Sequence, residues 1–152
     1  MSTIEKPDAL AEYPVVTTVP VQWGDQDAFG HVNNVVYFRW FESNRMEYAT
    51  QCGLADAPRE SELAPILASI SCNYRLQVRH PDFLYIGGRM TRIGTSSMTV
   101  KHAIYSQQQQ ELVADGESVM VLFDYQTQQS RPVPAALRRA VESLEGCSFD
   151  VP

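Results

Sequence analysis

Two aspartates carry the most pointed chemical suggestion in this chain. Asp25 and Asp27 lie in Gly24-Asp25-Gln26-Asp27-Ala28-Phe29-Gly30-His31, a loop by composition, and an apolar helical pattern begins just after it at about Asn33. A helix start presents free backbone N–H groups and a partial positive charge. Such groups can hold the oxyanion that develops on a carbonyl under attack. A carboxylate a few residues upstream can assist that attack as base or make it as nucleophile. Aspartates in glycine-containing loops ordinarily cap a turn or helix, and the pattern alone assigns both residues to that role.

Other common constellations are missing. There is no Gly-x-Ser-x-Gly elbow and no Gly-x-x-x-x-Gly-Lys phosphate loop. His31, His80 and His102 are not spaced as ligands with one another or with a cysteine, so no metal or other cofactor is expected. Cys52, Cys72 and Cys147 are odd in number and widely spaced, which reads as free thiols in a reducing compartment. Glu42 is expected to pair with Arg39 or Arg45, each three residues away on a helix.

The elements that must position the loop are legible from periodicity. Val15 to Trp23 alternates and reads as a strand, with Pro20 placing it at an edge. From Asn33 to Cys52 the pattern is helical, with Tyr37, Trp40, Phe41, Tyr48 and Cys52 on one stripe. Val35, Val36, Phe38 and Met46 widen it, so burial over much of the circumference is expected. Asn33 or Asn34 suits the N-cap and Gly53 the C′ position. After a polar stretch with Pro58 and Pro65, strands are expected at Ile70–Val78, Phe83–Ile93, Ser97–Tyr105 and Leu112–Tyr125. Gly87-Gly88 suggests a bulge in the second of these. A short helix follows from Pro134 to Leu144, ended by Gly146. Short turns make the four strands an antiparallel meander. An α+β fold results, with a sheet of about five strands wrapped around one long central helix.

Composition bounds the rest. A chain of 152 residues is one domain, expected over 14–147, with loose tails at 1–13 and 148–152. Its 44% hydrophobic and 20% charged content is ordinary for a globular protein. A net charge of −6 argues against a nucleic-acid partner. The N-terminal stretch lacks an apolar h-region and no run approaches the ~18 apolar residues of a span, so a cytoplasmic protein without a membrane partner is expected. Residues 75–102 run against the overall charge: Arg75, Arg79, Arg89, Arg92 and Lys101 face only Asp82. Such a segment suits an anionic ligand or, equally, solvated strand faces.

The run from Trp23 to Tyr37, with its Asp-x-x-Gly-His-Val-Asn-Asn-x-x-Tyr core, resembles the signature of the hotdog-fold acyl-CoA thioesterases, in the 4-hydroxybenzoyl-CoA thioesterase-like branch. Phe41-Glu42, Arg45 and Glu47-Tyr48 fit the helix pattern of that family, and the resemblance extends roughly from Tyr13 to Leu144. It implies a hotdog fold and hydrolysis of an acyl-CoA thioester. It implies Asp27 as base or nucleophile, the backbone N–H of Asn34 as oxyanion donor, and Gly30 as the residue permitting close approach. Tyr37 is taken as packing. Some members carry histidine where this chain has Asn34, so the side chain here is neither acid nor base.

Further substrate contacts are expected from His31, which also shapes the loop, and from Asn33. Ser71 and Asn73 of a second subunit are expected as pocket walls. Arg92, Ser97 and Lys101 are expected toward the coenzyme A phosphates. Trp40, Phe41, Tyr48, Phe83 and Tyr85 could line an acyl tunnel, with core packing the default for each. Open sheet edges and the family pattern imply a homodimer or homotetramer. Two other readings stand beside hydrolysis. One is an acyl-CoA hydratase or dehydratase, whose Asp-x-Asn-Pro-x-His run this loop lacks; the other is a non-catalytic acyl-CoA-binding protein.

Overall fold

A computed structural model describes residues 5–54 and 63–150. In chain order they form strand β1 (Val15–Pro20), helix α1 (Asn34–Gln51), strands β2 (Leu63–Tyr74), β3 (Phe83–Ile93), β4 (Ser97–Ser106), β5 (Glu111–Asp124) and the short β6 (Gln129–Ser130), and helix α2 (Ala135–Glu145). The sheet order is β1-β3-β4-β5-β2, with β6 on β5, and every pairing is antiparallel. This is the hotdog arrangement, a curled antiparallel sheet with a long helix packed against it.

The expected meander holds for β3, β4 and β5 only. β2 pairs with β5 at the far edge, not with β3. The strand expected at Ile70–Val78 stops at Tyr74 because the Arg75 and Leu76 N–H groups both turn onto the Val113 carbonyl, at 2.9 and 3.1 Å. Val78 then enters the core, fully buried beside Val21, Val32, Val36 and Tyr37. Residues 75–82 therefore cross one end of the sheet instead of closing a hairpin. β2 also begins earlier than expected and contains Pro65, which an edge strand accommodates. Pro58 lies outside the described residues.

α1 covers the concave face with the stripe read from sequence. Tyr37, Trp40, Phe41, Tyr48 and Cys52 are all buried. The wider apolar surface divides: Val36 is buried and Phe38 packs half-buried on the core, whereas Val35 and Met46 are 59% and 57% exposed, so one flank of the helix has no sheet over it. Two further expectations change. The first strand ends at Pro20, and Trp23 falls in a 3-10 turn with 75% exposure. The residues expected as loose tails contribute packing: Leu10 and Tyr13 are buried against Ala103, and Phe149 packs on the cluster around Leu137 and Val141.

A polar network crosses this core. The Asn44 amide nitrogen donates to the Ile86 carbonyl at 3.0 Å and to Thr17 Oγ1 at 3.2 Å. That leaves Asn44 Oδ1 to accept from His102 Nδ1 at 2.8 Å. His102 Nε2 must then be the acceptor of the Ser118 hydroxyl, also at 2.8 Å. Arg45 Nη1 donates to the same Ser118 oxygen at 3.1 Å, so Arg45 serves the network and forms no ion pair with Glu42 among the described residues. The His102 ring stacks on Phe41 at 4.5 Å. Burial first, then the Arg45 charge, pushes the His102 pKa down to about 3. Gly88 lies under the network: a Cβ there would fall on Asn44 Oδ1. Close approach, not a bulge, thus explains Gly87-Gly88, and the register shift of β3 lies at Met90/Arg92.

Candidate active site

The loop before α1 is held by its own backbone and by the 75–82 crossover. The Asp27 N–H donates to the His31 carbonyl at 2.8 Å and the Gly30 N–H returns to the Asp27 carbonyl at 3.0 Å. Gly30 closes this turn at φ +79°, a conformation that costs other L-residues about 1–2 kcal/mol. Gly30→Ala is expected to lower stability by about that amount in urea titration, since nothing crowds an added Cβ. Val32 and Val21 donate to the carbonyls of Val78 and Asp82, and the His80 N–H donates to Gln26 Oε1 at 3.1 Å.

The two aspartates separate in role. Asp25 Oδ2 accepts the Gln22 N–H at 2.8 Å and the Asp25 carbonyl accepts from Asn33, so this residue builds the loop. Asp27 Oδ1 accepts the Phe29 N–H at 2.8 Å, and Oδ2 has no partner among the described residues. Asp27 borders a crevice of about 400 Å³ together with His31, Asn34, Tyr37, Tyr74 and Val78. Asp27 is exposed, so the crevice is open to solvent on its side.

Asn33, not Asn34, is the N-cap: its Oδ1 accepts the Val35 N–H at 3.1 Å and its carbonyl the Val36 N–H at 3.0 Å. The Asn34 N–H, first of the helix, has no partner among the described residues. The Asn34 carbonyl accepts the Tyr74 hydroxyl at 2.9 Å, which ties the end of β2 to the helix start. Tyr37 packs edge-on against Trp40 and Tyr74, at 5.0 and 4.9 Å, and walls the crevice as well. Burial first, then the neighbouring Cys72 and Tyr74, pushes its phenol up to about 12, so it stays protonated.

Asp27, with a free carboxylate oxygen, and Asn34, with an unpaired helix N–H, border one crevice, and such groups suit addition to a carbonyl. A family model for the thioesterase-like superfamily matches residues 21–141. The chain belongs to that superfamily. It is a thioester hydrolase, and the matched span covers the loop, α1, strands β2 to β6 and most of α2. The chain is 23% identical over 128 residues to the long-chain acyl-CoA thioesterase FadM of Escherichia coli, spanning 84% of this chain and 97% of that protein. It superposes on a thioesterase from Thermus thermophilus solved in complex with coenzyme A and zinc, with TM-score 0.79, 27% identity, and 91% and 99% of the two chains covered. A thioesterase-superfamily structure from Jannaschia gives TM-score 0.82 at 26% identity, over 92% of this chain and 88% of that one.

Not every residue expected at the substrate lies at this thioesterase's crevice. Asp27, His31 and Asn34 come together there, while Gly30 and Asn33 shape the loop and cap the helix. Ser71 and Asn73 lie on the open β2 edge, where Asn73 donates to Asp115 at 2.8 Å. Arg92 borders a larger concavity of about 790 Å³ beside Glu12, Glu145 and residues 147–150, which holds neither aspartate. Ser97 accepts the Gly94 N–H at the β3–β4 turn, and Lys101 sits across from Arg89 and Glu117 in the sheet. A local charge count cannot show that the β3–β4 hairpin carries Arg89, Arg92 and Lys101 away from the loop. The expected tunnel aromatics divide likewise: Trp40, Phe41 and Tyr48 are core, while Phe83 and Tyr85 border another surface concavity.

Two residues carry no signal for the site in the sequence. Tyr74 sits in a strand pattern yet borders the crevice, and Arg79, one of several bases in residues 75–102, places Nη2 2.9 Å from His31 Nε2 beside it. A guanidinium has donors only, so the His31 nitrogen is the acceptor and its ring proton is on Nδ1.

Proposed function

We propose that the protein hydrolyses an acyl-CoA thioester to the free acid and coenzyme A, with Asp27 as general base or nucleophile and the Asn34 N–H as oxyanion donor. The observation that carries this reading is that Asp27 and Asn34, whose N–H is unpartnered among the described residues, border one crevice. FadM is named for long-chain acyl-CoA hydrolysis and the Thermus thermophilus relative was solved with coenzyme A, which supports the carrier.

In the base route Asp27 takes a proton from water as the water adds to the thioester carbon, and the Asn34 N–H holds the resulting oxyanion. In the nucleophilic route a carboxylate oxygen adds instead; the thiolate leaves, and water then cleaves the mixed anhydride to acid and aspartate. Either way the leaving group is a thiol of pKa about 8.5, which needs little protonation. An acid partner at Asn34 is therefore dispensable.

The hotdog domain over 14–147 is proposed to work in the cytoplasm as a homodimer or homotetramer. Strands β1 and β2 are open edges, and the solvent-facing side of Asp27 needs a cover. Ser71 and Asn73 on the β2 edge are proposed as walls that a partner subunit brings to that crevice. No helix among the described residues is long and apolar enough to cross a membrane.

Thiol release over a panel of acyl-CoA esters tests the reading, with turnover of at least one member expected. Crotonyl-CoA losing its enoyl absorbance without thiol release would establish the hydratase instead. Ligand-dependent thermal stabilisation with no turnover on any ester would establish a binding protein.

A further inference from the structure

We propose that Arg79 reads the phosphates of the coenzyme A carrier, in a second crevice that adjoins the one holding Asp27. The inference rests on the acyl-CoA reading and adds the residue that would distinguish a phosphorylated carrier from a bare thiol.

The second crevice, about 490 Å³, is bordered by Gln77, Arg79, His80, Asp82 and Gln109. Gln77 borders both crevices, so the two adjoin along the 75–82 crossover. Arg79 stands at the junction. It borders the second crevice while its Nη2 contacts His31 of the first at 2.9 Å. A ligand with its reacting carbonyl at Asp27 and Asn34 and its arm running along Gln77 would bring its anionic end to Arg79.

Charge accounting on this face favours Arg79 for that role. Arg75 is spent on Asp115, with contacts of 2.6 and 3.3 Å. Arg89 pairs with Glu12 and Arg131 with Asp124, both away from the crossover. Arg79 has no ion pair among the described residues and uses one of its five N–H donors on the His31 ring. Asp82 also borders the crevice, but its carboxylate is engaged three times within the turn, by the N–H groups of Phe83 and Gln108 at 2.7 and 3.0 Å and by the Ser106 hydroxyl. The crossover itself is anchored, by Gln109 Nε2 on the Gln77 carbonyl at 2.8 Å and by His80 on Gln26. An exposed guanidinium on an anchored segment is a ready partner for a phosphate, which it can grip with two parallel N–H bonds.

The test compares one acyl group on two carriers, coenzyme A and N-acetylcysteamine, which lacks every phosphate. Arg79→Gln removes the charge while keeping an amide donor for His31. It is expected to raise KM for acyl-CoA about tenfold, the loss of one charge-assisted contact, with kcat little changed. Turnover of the N-acetylcysteamine thioester should stay at the wild-type value, and Arg79→Lys should recover most of the acyl-CoA affinity. Equal losses on both carriers would overturn the proposal and leave Arg79 as a support for His31; no loss on either would overturn it as well. Calorimetry with free coenzyme A and pantetheine gives a readout independent of turnover. The wild-type protein should prefer coenzyme A, and Arg79→Gln should lose that preference. If neither form prefers coenzyme A, the assignment of Arg79 is wrong. Turnover by neither thioester, with the coenzyme A preference intact, would instead count against the hydrolytic reading.

Discussion

Asp27→Asn is expected to lower kcat for thioester hydrolysis by about 10²–10⁴, the range a positioned general base supplies, and by at least as much if the carboxylate is the nucleophile. The amide is nearly isosteric, and its oxygen can still accept the Phe29 N–H that Asp27 Oδ1 takes at 2.8 Å. The turn closed by His31 and Gly30 rests on backbone bonds and should survive. Thermal midpoints of the variant and the wild type should therefore agree while thiol release does not. Asp25→Asn is the control. Its oxygen can still accept the Gln22 N–H, and turnover is expected within a few-fold of wild type. Equal losses in the two variants would mean that loop geometry, not chemistry, was disturbed. Full activity in Asp27→Asn would remove the mechanism.

The second large effect concerns acid stability. His102 has its pKa lowered to about 3 in the folded chain, against about 6.5 when unfolded. Between those values the unfolded chain binds a proton that the folded chain refuses. Stability from this residue is complete above about pH 6.5 and falls by about 1.4 kcal/mol for each pH unit below it, until the folded value is reached. The cause is local: the ring is fully buried, so a charge on it would lack solvent, and it would lie beside the charge of Arg45. Urea titrations at pH 7 and pH 4 should differ by about 3 kcal/mol from His102 alone. His102→Gln should flatten that slope, because the amide can donate to Asn44 and accept from Ser118 without titrating. An identical slope in the variant would place the acid sensitivity elsewhere.

How much of this was legible in the sequence depended on whether the controlling interaction is local. The α1 stripe was readable because Tyr37, Trp40, Phe41 and Tyr48 recur at helical spacing, and β3 could be read from Phe83 to Ile93 because its ends are marked by a proline turn and Gly94. The partner of β2 was not readable. Alternation specifies which face a residue takes, not which strand lies beside it, and the turn of Arg75 and Leu76 onto Val113 is a long-range event. Gly87-Gly88 misled for a similar reason. The space those glycines leave belongs to Tyr13 and Asn44, distant in the chain. At the site, the motif drew attention to Asp27 and Asn34, whereas Arg79 reaches His31 only once the crossover has folded across the sheet end.

The stitching between the loop and the crossover has a dynamic consequence. Val21, Val32 and Gln26 each bond to residues 78–82, so both ends of the reactive segment are fastened to one anchored strip of chain. Such a segment has no hinge of its own. The Val21 and Val32 amides should exchange with deuterium as slowly as those of the sheet, and entry or exit of ligand should not wait on a swing of this loop. Selectivity at this crevice would then be set by a rigid mould rather than by a moving flap.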